Sequence, residues 1–158
     1  MAEQLVTLCF IVRDGRVLLM RKKRGIGAGK INAPGGKVEP GETPLAAAIR
    51  ETQEELCVTP IRPQLRGQLW FHFTGGPTWR CLVYLAVDYE GEPQETAEAV
   101  PWWFSTDSIP YGEMWDDDRY WLPRLLAGER FQGRVEVSGE RVTSQSIEFV
   151  KNELSISL

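Results

Sequence analysis

Runs of apolar residues along this chain change length and period in ways that separate strands from helices. The runs LVTLCFIV (5–12) and RVLLM (16–20) flank Arg13-Asp14-Gly15. An Asp-Gly pair between two apolar runs predicts a β-hairpin. The basic, glycine-rich stretch RKKRGIGAGK (21–30) has no period and reads as a loop. LRGQLWFHF (65–73) and RCLVYLAVDY (80–89) predict two strands joined around Gly75-Gly76-Pro77, and AVPWWF (99–104) a shorter one. RFQGRVEV (130–137) and VTSQSIEFV (142–150) predict a closing hairpin around Ser138-Gly139-Glu140. Two helices are set between these strands. The first opens at Thr43-Pro44, a capping hydroxyl followed by proline at the first helical position. Leu45, Ile49, Thr52 and Leu56 recur at helical spacing and predict its buried stripe. Ala46, Ala47 and Ala48 keep its first turns slim enough for a loop to approach. The second helix is DDDRYWLPRLLAG (116–128), with acids at its N-terminus, where the helix dipole favours them. Many strands with two interposed helices predict one α/β (α+β) domain over 1–158, a mixed sheet with helices packed on it. No repeat, low-complexity tract or linker interrupts it.

Composition adds limits. The 158 residues are 42 % hydrophobic and 25 % charged, enough for one ordinary core. A net charge of -4 argues against a broad nucleic-acid surface, which is usually basic. It leaves room for a small anionic ligand, because a metal or a local basic cluster can supply the opposite charge. Cys9, Cys57 and Cys81 show no zinc spacing and read as small buried hydrophobes. Their odd number, with no signal peptide evident, predicts reduced thiols in the cytoplasm. The first apolar run is too short to cross a membrane. His72 is the only histidine, which argues against a histidine-based triad.

The chemistry concentrates at the end of the first helix. Glu51, Glu54 and Glu55 fall on one face at about 100° per residue. That face could simply be solvated. Two features point elsewhere. The acids lie in the C-terminal half, where the dipole disfavours negative charge. They also follow a loop rich in glycine, Gly35 to Gly41. A hard divalent cation resolves the repulsion, and magnesium held by a few carboxylates and substrate phosphates is the usual arrangement. Arg50 is placed to pair with Glu54 or with Glu42.

These residues resemble the Nudix box. Gly36, five residues, Glu42, seven residues, then Arg50-Glu51, Glu54-Glu55 keep its spacing. Thr52 stands where the pattern has an aliphatic residue, and Cys57 where it has glycine. The resemblance implies an α/β/α sandwich and metal-dependent hydrolysis of a nucleoside diphosphate linked to another moiety. It implies that Glu51, Glu54 and Glu55 hold magnesium, with manganese as an alternative, and that Gly35 and Glu98 lie beside it. Glu42 and Arg50 would brace the loop against the helix. MRKKRGIGAGKINAPGGKV (20–38) and MWDDDRYWLPRLL (114–126) resemble the family's oxidised-purine nucleoside triphosphatases. That implies 8-oxo-dGTP as substrate, with 2-hydroxy-dATP a second candidate, cleaved to monophosphate and pyrophosphate to cleanse the nucleotide pool. Asn32, Trp115, Asp117 and Asp118 would surround the base, with Lys22 and Thr7 also on the substrate.

Taken alone, Trp115 fits a core position and Asp116 to Asp118 fit a helix cap. As a pair in a partly dry pocket, Asp117 and Asp118 would share about one proton. Lys22, Lys23, Arg24 and Lys30 read either as a solvated loop or as a cluster that attracts phosphates. Ile26, Ile31, Ala33-Pro34 and Asp116 depart from the resemblance and are the positions where base preference would shift. The expected partner is a small nucleotide bound by a monomer, with no nucleic-acid polymer and no membrane. The alternatives are a Nudix hydrolase of a nucleotide sugar or dinucleoside polyphosphate, and a non-catalytic nucleotide sensor.

Overall fold

A computed structural model describes residues 3–158; Met1 and Ala2, the start of the expected domain, lie outside the described residues. Strands β1 (Gln4–Arg13), β2 (Arg16–Lys22), β3 (Ile31–Asn32) and β4 (Gly35–Lys37) precede helix α1 (Pro44–Leu56). Strands β5 (Thr59–Pro60), β6 (Gln64–Phe73), β7 (Thr78–Ala86), β8 (Tyr89–Glu90) and β9 (Ala99–Ser105) follow. A single 3-10 turn, Tyr111–Glu113, leads to α2 (Asp118–Leu126), and β10 (Arg130–Ser138) and β11 (Arg141–Val150) close the chain. The large sheet runs β11-β10-β6-β7-β1-β2-β3, with β4 paired to β1 and β9 to β2. The β1/β7 and β10/β6 pairs are parallel and the others antiparallel, a mixed sheet as expected.

The two helices cover opposite faces, and the period of β1 decides this. Phe10 packs in the larger core with Trp121, Leu122 and Leu125 of α2. Its neighbour Cys9 packs with Ala48 of α1. Adjacent strand residues point to opposite faces, so the sheet is sandwiched between α1 and α2. Trp121 is wholly buried, edge-on to Phe10 at 5.8 Å and stacked near Phe131 at 5.2 Å. Burying a side chain of this size contributes about 2–3 kcal/mol, which anchors α2 and the loop before it.

Thr43 caps α1, its hydroxyl accepting the Ala46 N–H at 3.1 Å, and Pro44 is the first helical residue. The buried stripe differs from the expected one. Leu45 is exposed and Ile49 half-buried, while Ala47, Ala48, Thr52 and Leu56 are fully buried. Of the three alanines, Ala46 is exposed while Ala47 and Ala48 are buried; Ala48 packs on Cys9 of β1, where a small side chain lets the helix sit close, and the Thr52 hydroxyl is satisfied by the Ala48 carbonyl at 2.7 Å. Cys9 and Cys81 are buried, but Cys57 is exposed, because it stands just past α1 at φ 63°. There its N–H donates to the Gln53 carbonyl and the chain turns away from the core. No helix of the described residues is long and apolar enough to cross a membrane.

Candidate active site

Two glycines seat α1 against the sheet. β4 pairs with β1 with Thr7 opposite Gly36 and Leu8 opposite Gly35. A Cβ on Gly35 would lie 1.9 Å from the Thr7 carbonyl oxygen, and one on Gly36 2.6 Å from the Glu51 carboxylate. Any larger residue would push α1 and its acids off the strand. The Gly35 N–H donates to Glu55 Oε1 at 2.9 Å, which aims that carboxylate back at the loop.

Arg50 organises the acids. Its Nε and Nη2 donate to the two oxygens of Glu42 at 2.7 and 3.0 Å, a bidentate pair that ties α1 to the preceding loop. Nη1 donates to Glu51 at 2.9 Å and to Glu54 at 3.3 Å. Arg50 thus pairs with both expected partners and with Glu51 as well. Its bonds hold the Glu42 carboxyl below its ordinary range. Glu51 and Glu55 behave oppositely. Burial raises Glu51, against the pull of Arg50. Burial pushes Glu55 up to about 8, opposed by the Gly35 N–H and reinforced by the charge of Glu51. Among the described residues no three such groups stand gathered ready to hold an ion, since Glu51 and Glu54 are turned onto Arg50. The donor set nonetheless fits a hard divalent cation. All its donors are carboxylate oxygens, and two of them are burdened by burial that positive charge would relieve.

Glu51, Glu54, Glu55 and Glu98 line a cavity of about 410 Å³ together with Lys22 and Gly35. Glu98 pairs with Arg24. A second cavity, of about 610 Å³, adjoins the first and shares Lys22, Gly35 and Glu55 with it. Thr7, Asn32, Trp115, Asp116, Asp117 and Asp118 belong to the second. Trp115 is half-buried and lines this cavity, so it is not a core residue. Lys30 Nζ sits 5.2 Å from the centre of its ring. Asn32 Oδ1 accepts the Ala33 N–H at 2.8 Å, leaving the amide nitrogen as its remaining donor.

The acids before α2 do not cap it: no side-chain capping bond forms at Asp117. Asp117 instead accepts the Trp121 indole N–H at 2.8 Å. Asp118 is 2 % exposed, and its Oδ2 has no partner. Burial raises both carboxyls, Asp117 to about 6, and the charge of Asp117 raises Asp118 further. The Trp121 N–H favours an ionised Asp117, and burial beside that charge favours a protonated Asp118. Thr7, 1 % exposed, carries a second buried oxygen without a partner, Oγ1, and lines the same cavity. Two such atoms lining one cavity suit a ligand with polar edges.

The basic cluster does not assemble. Lys23 pairs with Glu95, Arg24 with Glu98 and Lys30 with Glu140. Lys22 alone of the four lines both cavities, its Nζ donating to the Ile26 carbonyl at 2.8 Å. The sequence reading also missed an aromatic wall of the larger cavity. Phe71, Phe73 and Trp79 stand there, Phe73 edge-on to Trp79 at 5.1 Å. The alternation of Phe71 and Phe73 in β6 was the available signal.

The NUDIX domain family model matches residues 3–125. The chain is 44 % identical over 141 residues to the oxidized purine nucleoside triphosphate hydrolase of Danio rerio, covering 89 % of this chain and 90 % of that protein. Against the Mus musculus protein of the same name it is 40 % identical over 135 residues, covering 85 % and 86 %. Among solved structures, the mutator MutT protein from Bacillus halodurans matches with a TM-score of 0.83 at 28 % identity, covering 92 % of this chain and 97 % of that one. Hydrolases of this family generally use a divalent metal. The family match runs through β4, α1, the loop that carries Trp115 and Asp117, and the start of α2 at Asp118, and on that ground this chain belongs to the Nudix hydrolase family.

Proposed function

We propose that the protein hydrolyses oxidised purine nucleoside triphosphates, 8-oxo-dGTP foremost, to monophosphate and pyrophosphate. One observation carries this: the acidic cavity and the cavity of Trp115, Asn32 and the Asp117/Asp118 pair share a wall at Lys22, Gly35 and Glu55. A base in one places its phosphates toward the other. The names of the Danio rerio and Mus musculus relatives support the choice of substrate.

Glu51, Glu54 and Glu55 would hold a divalent ion, magnesium or manganese, with Glu98 and the Gly35 backbone at its edge. When bound, the ion supplies positive charge for the phosphate oxygens and makes water more acidic. The chain's own residues supply the rest. Lys22 meets the phosphates between the cavities. Arg50, locked to Glu42, ties the glycine-rich loop to α1. Asp118 donates to and Asp117 accepts from the purine edge, a pattern sensitive to oxidation of the base. Trp115 gives a stacking face. We read the protein as a monomer of the reducing cytoplasm that acts on free nucleotides, which its free cysteines and negative charge support.

The test is a panel of oxidised and ordinary nucleotides, nucleotide sugars and dinucleoside polyphosphates, with magnesium and with chelator, and identification of products. Fastest magnesium-dependent turnover of 8-oxo-dGTP to 8-oxo-dGMP and pyrophosphate is expected. Preference for a sugar nucleotide, or release of inorganic phosphate alone, would overturn the assignment.

A further inference from the structure

The larger cavity has a wall outside residues 3–125 matched by the family. It is the tip of the β10–β11 hairpin, where Val137, Gly139, Glu140 and Val142 line the cavity. The hairpin's register shifts between Glu136 and Val137, and a bulge there re-aims a strand end. Three polar ties hold the tip in place. The Thr74 N–H donates to the Val137 carbonyl at 2.9 Å. Lys30 Nζ lies 3.3 Å from Glu140 Oε1. Asp116 Oδ2 accepts the Val142 N–H at 2.8 Å, and its other oxygen lies 3.5 Å from Arg119.

These ties are unequal. The Glu140 side chain is 72 % exposed, and an ion pair so open to water contributes little. Asp116 is half-buried and makes a charge-assisted bond to backbone, which is the stronger kind. It is also the tie that joins the hairpin directly to the loop of Trp115, Asp117 and Asp118.

We propose that Asp116 is a positioning residue for the nucleobase, seating the Val137–Val142 tip against the base-reading loop and so setting how tightly the base is held. The inference rests on the reading of this cavity as the base site. Neither Asp116 nor the hairpin tip lines the acidic cavity, so its effect falls on binding and leaves the chemical step alone.

The experiment titrates 8-oxo-dGMP, without metal, into the wild type, Asp116→Ala and Asp116→Asn by calorimetry, and measures 8-oxo-dGTP hydrolysis by the same proteins. Asp116→Ala should bind the monophosphate about tenfold more weakly, the size of one hydrogen bond to a charged acceptor. KM should rise by a similar factor while kcat stays within about twofold. Asp116→Asn keeps an acceptor oxygen without the charge and should recover part of the loss. Equal affinity of wild type and Asp116→Ala overturns the proposal. So does a fall in kcat at constant KM, or failure of Asp116→Asn to restore binding, either of which marks general structural support. If the wild type itself binds no 8-oxo-dGMP, the base-site reading fails and the proposal falls with it, a result distinct from equal binding by all three proteins.

Discussion

Asp117→Asn separates the electrostatic cost of the base-reading pair from its chemistry. Folded Asp117 is 7 % exposed, and burial is the main influence that carries its carboxyl from an ordinary 3.8 to about 6. In the unfolded chain the same group ionises near its ordinary value. Between about pH 4 and pH 6 the folded state therefore binds more protons than the unfolded one, and stability falls as pH rises through that window. The distance from 3.8 to about 6 corresponds to roughly 3 kcal/mol, lost in full above about pH 7. Asparagine cannot ionise, yet its oxygen still accepts the Trp121 indole N–H, at a cost of about 1 kcal/mol for the weaker acceptor. The variant should thus be equal to or slightly less stable than the wild type at about pH 4, and more stable by about 2 kcal/mol at about pH 8. Glu51 and Glu55, also raised by burial, slope the stability of both proteins alike and cancel in the difference, whereas Asp118, relieved of the Asp117 charge, is raised less in the variant and adds to its advantage at high pH. Urea denaturation of metal-free wild type and variant across this range measures it. A difference that does not change with pH, or a variant that loses ground as pH rises, would refute the reasoning.

Two further outcomes follow from the helix. Glu54→Gln or Glu55→Gln should leave the fold intact and remove most hydrolysis, because a neutral amide is a poor substitute at a divalent ion; Gln53, which donates to Thr59 Oγ1 at 3.0 Å, is the control position. Near-normal turnover by both variants at saturating magnesium would sink the metal assignment. Cys57→Gly should stabilise the protein by about 0.5–1 kcal/mol, since φ 63° strains any residue with a Cβ while glycine's greater unfolded freedom offsets part of the gain. A urea midpoint unchanged or lowered would show that the strain is negligible.

Much of this molecule is local, and local features are legible in sequence. The Asp14-Gly15 hairpin follows from two consecutive positive-φ residues, φ 54° and 73°. The start of α1 follows from Thr43 and Pro44, and the acidic face of α1 from helical period alone. The Gly36, Glu42, Arg50 and Glu55 spacing carries the Nudix resemblance because loop and helix are contiguous in the chain. What the sequence could not decide depends on where the sheet lies. Period places Leu45, Ile49, Thr52 and Leu56 on one stripe; Thr52 and Leu56 are buried as it predicts, but the sheet takes Ala47 and Ala48 in place of Leu45 and Ile49. Clustered lysines and arginines at 22–30 say nothing of the glutamates at 95, 98 and 140 that disperse them. Those partners come from positions 72 to 110 residues away. The larger cavity has the same origin. Its aromatic wall comes from β6 and β7, its aspartates from the start of α2 and the loop before it, and its closing edge from the β10–β11 hairpin. Only the parallel pairing of β10 with β6 and of β7 with β1 gathers these segments. Side-chain type and spacing determine what each segment can do; the order of strands in the sheet determines which segments do it together.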